Sequence, residues 1–327
     1  MFLIGSQASV KVLDKILEAL NLTHTQKRVT GNIAWLAGGH LFRIAVGLVV
    51  LAVVARYLGP DEFGILNYAI GLVVIFTSIA TLGIEGIVIR EMVKMPESVN
   101  TILGTSFVLR VIGGVLAVAT VFIAAIVVCA DPVTHPYIFL VSLAFLPQSF
   151  EVVDLWFQKN IQSKYTILAR SAAVLAGGIF KIALVVWKAS LTWFCIAYAI
   201  DFAFIELALG CIYLNRGGKM QMWDFSFAVA RHILRDSWPL IISGVLVTAY
   251  MKIEQLLVMN FLGSYTAGVY FASAKIIDIW ALIPSFILTS VYPILVETRK
   301  HEPAVYRKKL QLVFDVMAGL GYLLAAA

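Results

Sequence analysis

The stretch RIAVGLVVLAVVARYLGPDEFGILNYAIGLVVIFTSIATLGI, Arg43 to Ile84, decides the fold. Two apolar runs are separated by a short turn, Gly59-Pro60-Asp61-Glu62. About 20 apolar residues of helix cross the hydrocarbon core of a bilayer. Each run is close to that length, so the stretch reads as a membrane hairpin. It also carries a cation, Arg43, inside its first helix.

Outward from this hairpin the pattern repeats. Apolar runs long enough to span lie at 31–57, 64–84, 101–129, 136–157, 164–187, 191–214, 238–262, 265–296 and 304–327. The expected fold is all-α, a polytopic membrane bundle with eight complete spans and a ninth interrupted by the end of the chain. Composition agrees: of 327 residues, 61% are hydrophobic and 13% charged, against about 25% charged in a soluble domain. Mean hydropathy is +0.92. Cys129, Cys195 and Cys211 lie in or beside apolar segments without metal-ligand spacing, so they read as free thiols.

Loop charges orient the spans. With the N-terminus inside, the inner segments carry seventeen basic residues, from Lys11 and Lys15 through Arg90 and Lys94 to Lys308 and Lys309. The outer loops carry Arg56 and Lys188. This asymmetry satisfies the positive-inside rule. It accounts for the net charge of +6 without nucleic acid. Residues 1–28 form no secretory signal. Val10, Leu13, Leu17 and Leu20 recur at helical spacing among charges, the pattern of an amphipathic helix on the cytoplasmic surface.

An internal repeat is visible. YLGPDEFGILNYA (57–69) and FLGSYTAGVYFAS (261–273) superimpose at an offset of 204 residues, matching Leu58-Gly59 to Leu262-Gly263 and Gly64 to Gly268. Each closes the first span of a block and opens the second, so the repeat is parallel. The expected division is 1–28, a cytoplasmic N-terminal segment; 29–216, a first six-helix lobe; 217–236, an interfacial linker; and 237–327, a second lobe that stops in its third span.

The interior charges point to function. Arg43, Arg110, Lys181, Lys252 and Lys275 fall inside spans, as do Glu151, Asp154, Asp201, Glu206, Glu254 and Asp278. A charge at a helix centre costs about 2.5–3.5 kcal/mol on insertion scales. Eleven facing lipid would cost roughly 30 kcal/mol, beyond the stability of a fold. They must face one another or a polar cavity, which favours a transporter over a membrane-bound enzyme. No Walker motif, metal cluster or catalytic triad is present, and no cofactor is implied. Pro147 and Pro284 predict kinks in spans four and eight. Gly38-Gly39, Gly113-Gly114 and Gly177-Gly178 suit close helix packing.

The run ARYLGPDEFGILNYAIGLVVIFTSIATLGIEGIVIREMVK, Ala55 to Lys94, strongly resembles the first helical hairpin of bacterial polysaccharide flippases of the Wzx type. Those belong to the superfamily of multidrug and toxic-compound extruders (MATE) and the peptidoglycan-precursor flippase. ILGTSFVLR, QKNIQSKYTILARS and YMKIEQLLVMNFLGSYTAGVYFASAKIIDIW fit the same family. The resemblance implies two six-helix lobes around a central cavity, ion-coupled alternating access, and a bacterial inner-membrane location. It implies transfer of undecaprenyl-diphosphate-linked oligosaccharide, such as a lipopolysaccharide O-antigen repeat unit, to the periplasmic leaflet. A polysaccharide polymerase and a chain-length regulator are the implied protein partners, beside the lipid bilayer. The family usually has Asp where this chain has Glu254 and Glu85.

A diphosphate headgroup needs cations, and arginine grips it at two points. Arg43, Lys252, Lys275 and Arg110 are the candidates. Arg43, Lys252 and Glu254 are expected to meet at mid-depth. Arg110 reads equally as the partner of Glu151 or Asp154, and Lys275 as that of Asp278. Lys181, in the outer half of span five, reads as snorkelling. Glu254, Asp278, Asp201 and Glu206 are the candidates for ion coupling. The alternatives are a MATE-like drug/cation antiporter, disfavoured by interior bases, and a glycosyltransferase or polymerase, disfavoured by short outer loops.

Overall fold

A computed structural model describes residues 24–326 apart from 130, 161 and 302. The side chains of 24–37, 41, 163, 276–305, 308, 309, 320 and 323–326 lie outside that description. The expected amphipathic helix around Val10 to Leu20 therefore falls outside the described residues.

The chain folds as an all-α polytopic membrane bundle. The helices are α1 (His24–Ile75), α2 (Thr77–Thr81), α3 (Glu85–Lys94), α4 (Val99–Val128), α5 (His135–Ser142), α6 (Phe145–Gln148), α7 (Val152–Lys159), α8 (Ser163–Val186), α9 (Leu191–Asn215), α10 (Phe227–His301) and α11 (Pro303–Ala326). Six helical stretches among the described residues are long and apolar enough to cross a membrane. The first and last of these, in α1 and α10, each contain an elbow. Gly59 has φ 71° and ψ 173°, and Gly263 has φ 81° and ψ 175°. That region of backbone space is almost closed to residues with a side chain. Each long helix is thus two segments, which matches the paired spans expected there.

Residues 38–273 form one compact unit, and residues 1–37 with 274–327 form another. The described part of the second unit is helical: the start of α1, the end of α10 and α11.

Within the first unit, α8 and α9 are joined by a tight connection and pack along their lengths. Helix α4 packs on α2, α5 and α6. The core near the elbows includes Phe63, Tyr68, Leu72, Val121, Phe194 and Cys195. A second apolar cluster, with Ile84, Val88, Met92, Ile102, Leu155 and Ile233, lies at the opposite end. Outward faces stay apolar: Ile112, Val115, Leu116, Ile123, Ile126 and Val127 on α4 are all exposed. A stripe of that size is a lipid-facing surface in a chain of this kind.

Span four is broken as Pro147 predicts. The helix is interrupted at Leu143 and Ala144, between α5 and α6, and a 3-10 turn, Ser149–Glu151, then separates α6 from α7. Proline has no N–H to donate and crowds the carbonyl four residues back. The break lets the turn present Glu151, and α7 present Asp154, toward α4 and α8. Gly113 and Gly114 lie against the carbonyls of Ala80 and Phe145, as close packing requires.

The offset of 204 recurs in the contacts. A β-carbon on Gly64 would collide with the carbonyl oxygen of Ser264, and one on Gly268 with that of Pro60. The two contacts are images of each other under the offset. Ser264 Oγ also donates to Asp61 Oδ1 at 2.6 Å. Farther along, Thr248 Oγ1 donates to the Ile75 carbonyl at 2.9 Å. The segments after both elbows are therefore built to touch through backbone.

Candidate functional site

Two polar sites lie inside the unit 38–273. The first is a cavity of about 400 Å³ between α1, α8 and α9. Its wall is mostly apolar, with Val50, Leu66, Phe194 and Phe202 among the lining residues. The polar groups in that wall include Arg43, Asn67, Lys181, Tyr198 and Asp201. Lys181 forms an ion pair with Asp201 across the α8–α9 hairpin. Gly177 leaves no room for a side chain beside Asp201 Oδ1, so the carboxylate fits against bare backbone. Arg43 is half-buried, and its Nη2 donates to Nδ1 of His40 at 2.9 Å. This hydrogen bond takes an imidazole nitrogen that carries no proton.

The second site is a charge network. Arg110 is only 1% exposed. Its Nη1 donates to Glu151 Oε2 at 3.0 Å and its Nη2 to Glu85 Oε1 at 3.1 Å. Arg170 Nη2 donates to Glu151 Oε1 at 3.1 Å and to Asp154 Oδ2 at 3.0 Å. Thr166 Oγ1 donates to Asp154 Oδ1 at 2.6 Å. Glu206 on α9 faces this network. Arg170 also feels the charge of Arg43, so it stands electrostatically between the two sites.

The structure brings Arg43 and Asp201 together in one cavity, with Lys181. The snorkelling expected for Lys181 is corrected, because its amino group turns to Asp201 instead of the membrane surface. Lys252 and Glu254 are not among the residues lining that cavity. Lys252 is half-buried and Glu254 exposed. Arg110 belongs to the network. Lys275 is half-buried and falls in the other compact unit. The side chain of Asp278 lies outside the described residues.

The model of the polysaccharide biosynthesis protein family matches residues 29–299. The chain belongs to that family. No curated protein and no solved structure matches it. As a polysaccharide biosynthesis protein with this many apolar helices, it is a multi-pass membrane protein. Among the described residues no group of His, Cys, Asp and Glu is arranged to hold a metal ion.

Sequence reasoning passed over Arg170, which sits only seven residues into α8 and looks like an end-of-helix charge. The pair Lys181–Asp201 had a signal in the chain. Two helices joined by the short turn at 187–190 run antiparallel, which sets Asp201 level with Gly177, and Lys181 one turn nearer the connection reaches it with its long side chain.

Proposed function

We propose that this polysaccharide biosynthesis protein is a flippase for undecaprenyl-diphosphate-linked oligosaccharide. The observation that carries the reading is a cavity between membrane helices that holds Arg43 and the Lys181–Asp201 pair. A sugar diphosphate loses its hydration in hydrocarbon and cannot cross alone. Two cations against one carboxylate give that cavity net positive charge, which suits a diphosphate better than a cationic drug. Its volume is within the range of about 300–1,000 Å³ of small-molecule pockets. The long apolar tail stays in lipid while the headgroup enters.

In this reading 29–216 and 237–327 belong to two lobes joined at 217–236, and the N-terminal segment 1–28 is cytoplasmic in a bacterial inner membrane. Transport proceeds by ion-coupled alternating access. Arg43 is the leading headgroup contact. Lys252 and Lys275 remain candidates on other surfaces of the pathway, and Glu254, Asp278 and Asp201 remain coupling candidates. Arg110 serves the fold, because two carboxylates occupy its guanidinium.

Replacing Arg43 by Ala tests the assignment. Export of lipid-linked oligosaccharide, read as surface polysaccharide, should fall at least tenfold with membrane abundance near normal. Arg43→Lys should restore part of it, since charge remains and only the two-point grip is lost. Unchanged export, or depleted protein, would remove Arg43 from the substrate site.

A further inference from the structure

Glu206 is the buried titratable group that the network leaves over. It is 7% exposed, and its Oε2 is buried with no hydrogen-bond partner. The charged groups facing it are Glu151 and Asp154 from the broken span four, Arg170 from α8 and Arg110 from α4. The terminal nitrogens Nη1 and Nη2 of Arg110 are engaged by Glu151 and Glu85, and Nη2 of Arg170 by Glu151 and Asp154; Nε of Arg110 is buried without a partner, and Glu206 makes no hydrogen bond to it. Glu85 is half in solvent, with its side chain 53% exposed. Within the buried part, Glu151 and Asp154 balance Arg110 and Arg170. Glu206 is the surplus carboxyl.

An ionised carboxylate without a partner, beside two others, is strongly disfavoured away from water. Neutralisation by a proton removes both the desolvation cost and the repulsion. We infer that Glu206 is a reversible proton-binding site, linked through Arg170 to the occupancy of the Arg43 cavity. The linkage rests on the flippase reading; the proton site itself does not.

The sign of the linkage follows from charge. Arg170 is ion-paired with Glu151 and Asp154, and its charge is also felt at Arg43 on the cavity wall. An anion in the cavity adds negative potential and draws on Arg170. Either effect makes Glu206 hold its proton more firmly. By reciprocity, protonated Glu206 makes the cavity bind the anion more tightly. Anion binding and proton uptake therefore help each other.

Glu206→Gln is the deciding variant, because a neutral amide has the shape of the protonated acid. Infrared difference spectra of the full chain, between neutral and alkaline pH, should show a protonated-carboxyl band that Glu206→Gln lacks. A band that persists unchanged in the variant overturns the proton site, whatever the protein transports. A variant that fails to fold overturns it too, since a neutral isostere should be tolerated where the acid is neutral. Binding of undecaprenyl diphosphate in detergent should weaken for the wild type as pH rises. Glu206→Gln should flatten that slope and keep the low-pH affinity. A wild-type slope in the variant overturns the linkage. If the band vanishes as expected but neither protein binds the lipid diphosphate at any pH, the flippase reading fails while the proton site stands.

Discussion

Arg110 and Arg43 are two arginines on neighbouring stretches of one bundle, and they are held in opposite ways. Arg110 is almost wholly buried and donates to two carboxylates from different segments. Arg43 is half-buried at a cavity wall and donates to a neutral ring nitrogen one turn back. A guanidinium already matched by carboxylates has little left to offer a ligand. One that faces a cavity with other cations around it has a great deal. That difference is why we propose stability as the role of the first and headgroup binding as the role of the second, although both read alike as charges inside apolar runs.

The comparison breaks if Arg110 proves dispensable. Arg110→Ala leaves the buried part of Glu151 and the end of Glu85 without their cation. Breaking a buried ion pair from one side costs about 3–5 kcal/mol. The lower end applies, near 3 kcal/mol, because Arg170 still holds Glu151. Membrane abundance and thermal unfolding in detergent should both drop. Arg110→Met combined with Glu151→Gln should recover much of the loss, since the stranded charge goes too. An Arg110→Ala protein of normal abundance but no export would reverse the two assignments.

How far the chain revealed this depends on which axis of a helix is asked about. Depth is written in one dimension: apolar run lengths placed the spans, and Arg110 and Glu151 stood at similar depth. The elbows were legible through the repeated Leu-Gly pairs at 58–59 and 262–263, because only glycine takes the backbone that ends one span and starts the next. The side of a helix that meets another is not written locally. It is fixed by packing of elements far apart in sequence. That is why Arg170, at the start of α8, was not seen to complete the pocket of Glu151 and Asp154. It is also why Glu206 showed itself as a buried residue without a partner only in three dimensions.

The pair Lys181–Asp201 lies between the extremes and sharpens the contrast. About a quarter of each side chain is exposed, 24% for Lys181 and 28% for Asp201. Breaking it should therefore cost less than Arg110→Ala, about 1–2 kcal/mol, between exposed and buried pairs. Asp201→Asn leaves Lys181 as an uncompensated cation in the cavity. The expected outcome is a modest loss of thermal stability together with tighter binding of undecaprenyl diphosphate in detergent. If stability falls as far as in Arg110→Ala and affinity does not rise, Asp201 belongs with the structural network. The Lys181→Asp, Asp201→Lys exchange should recover stability, because the pair is rebuilt in reverse.

The smallest effect belongs to charges at the end of the bundle, beyond the spans. Glu91 on α3 accepts from Arg90 Nε at 2.9 Å and from Lys94 Nζ at 3.4 Å, with His232 Nε2 at 3.8 Å. Burial alone would push its carboxyl up, and that is the largest single influence. The hydrogen bonds and charges of Arg90 and Lys94 together outweigh it, so the carboxyl is held below its ordinary value. A carboxylate whose folded value is depressed adds stability above the unfolded value, and the contribution disappears as pH falls through the folded one. The window therefore opens near the ordinary glutamate value of about 4.3 and extends downward. Thermal unfolding of the wild type should show a small added loss across that window. Glu91→Gln should lack this component while matching the wild-type trend at higher pH. Because Arg90 and Lys94 are well exposed, the whole effect should shrink in high salt. The Arg110 network should be nearly indifferent to the same salt, since its guanidinium is shut away from the counterions. An acid loss as large as that of Arg110→Ala would mean that Glu91, only 4% exposed, supports the fold as strongly as the Arg110 network does, and that distance from the membrane core is a poor guide to how much a charge supports the fold.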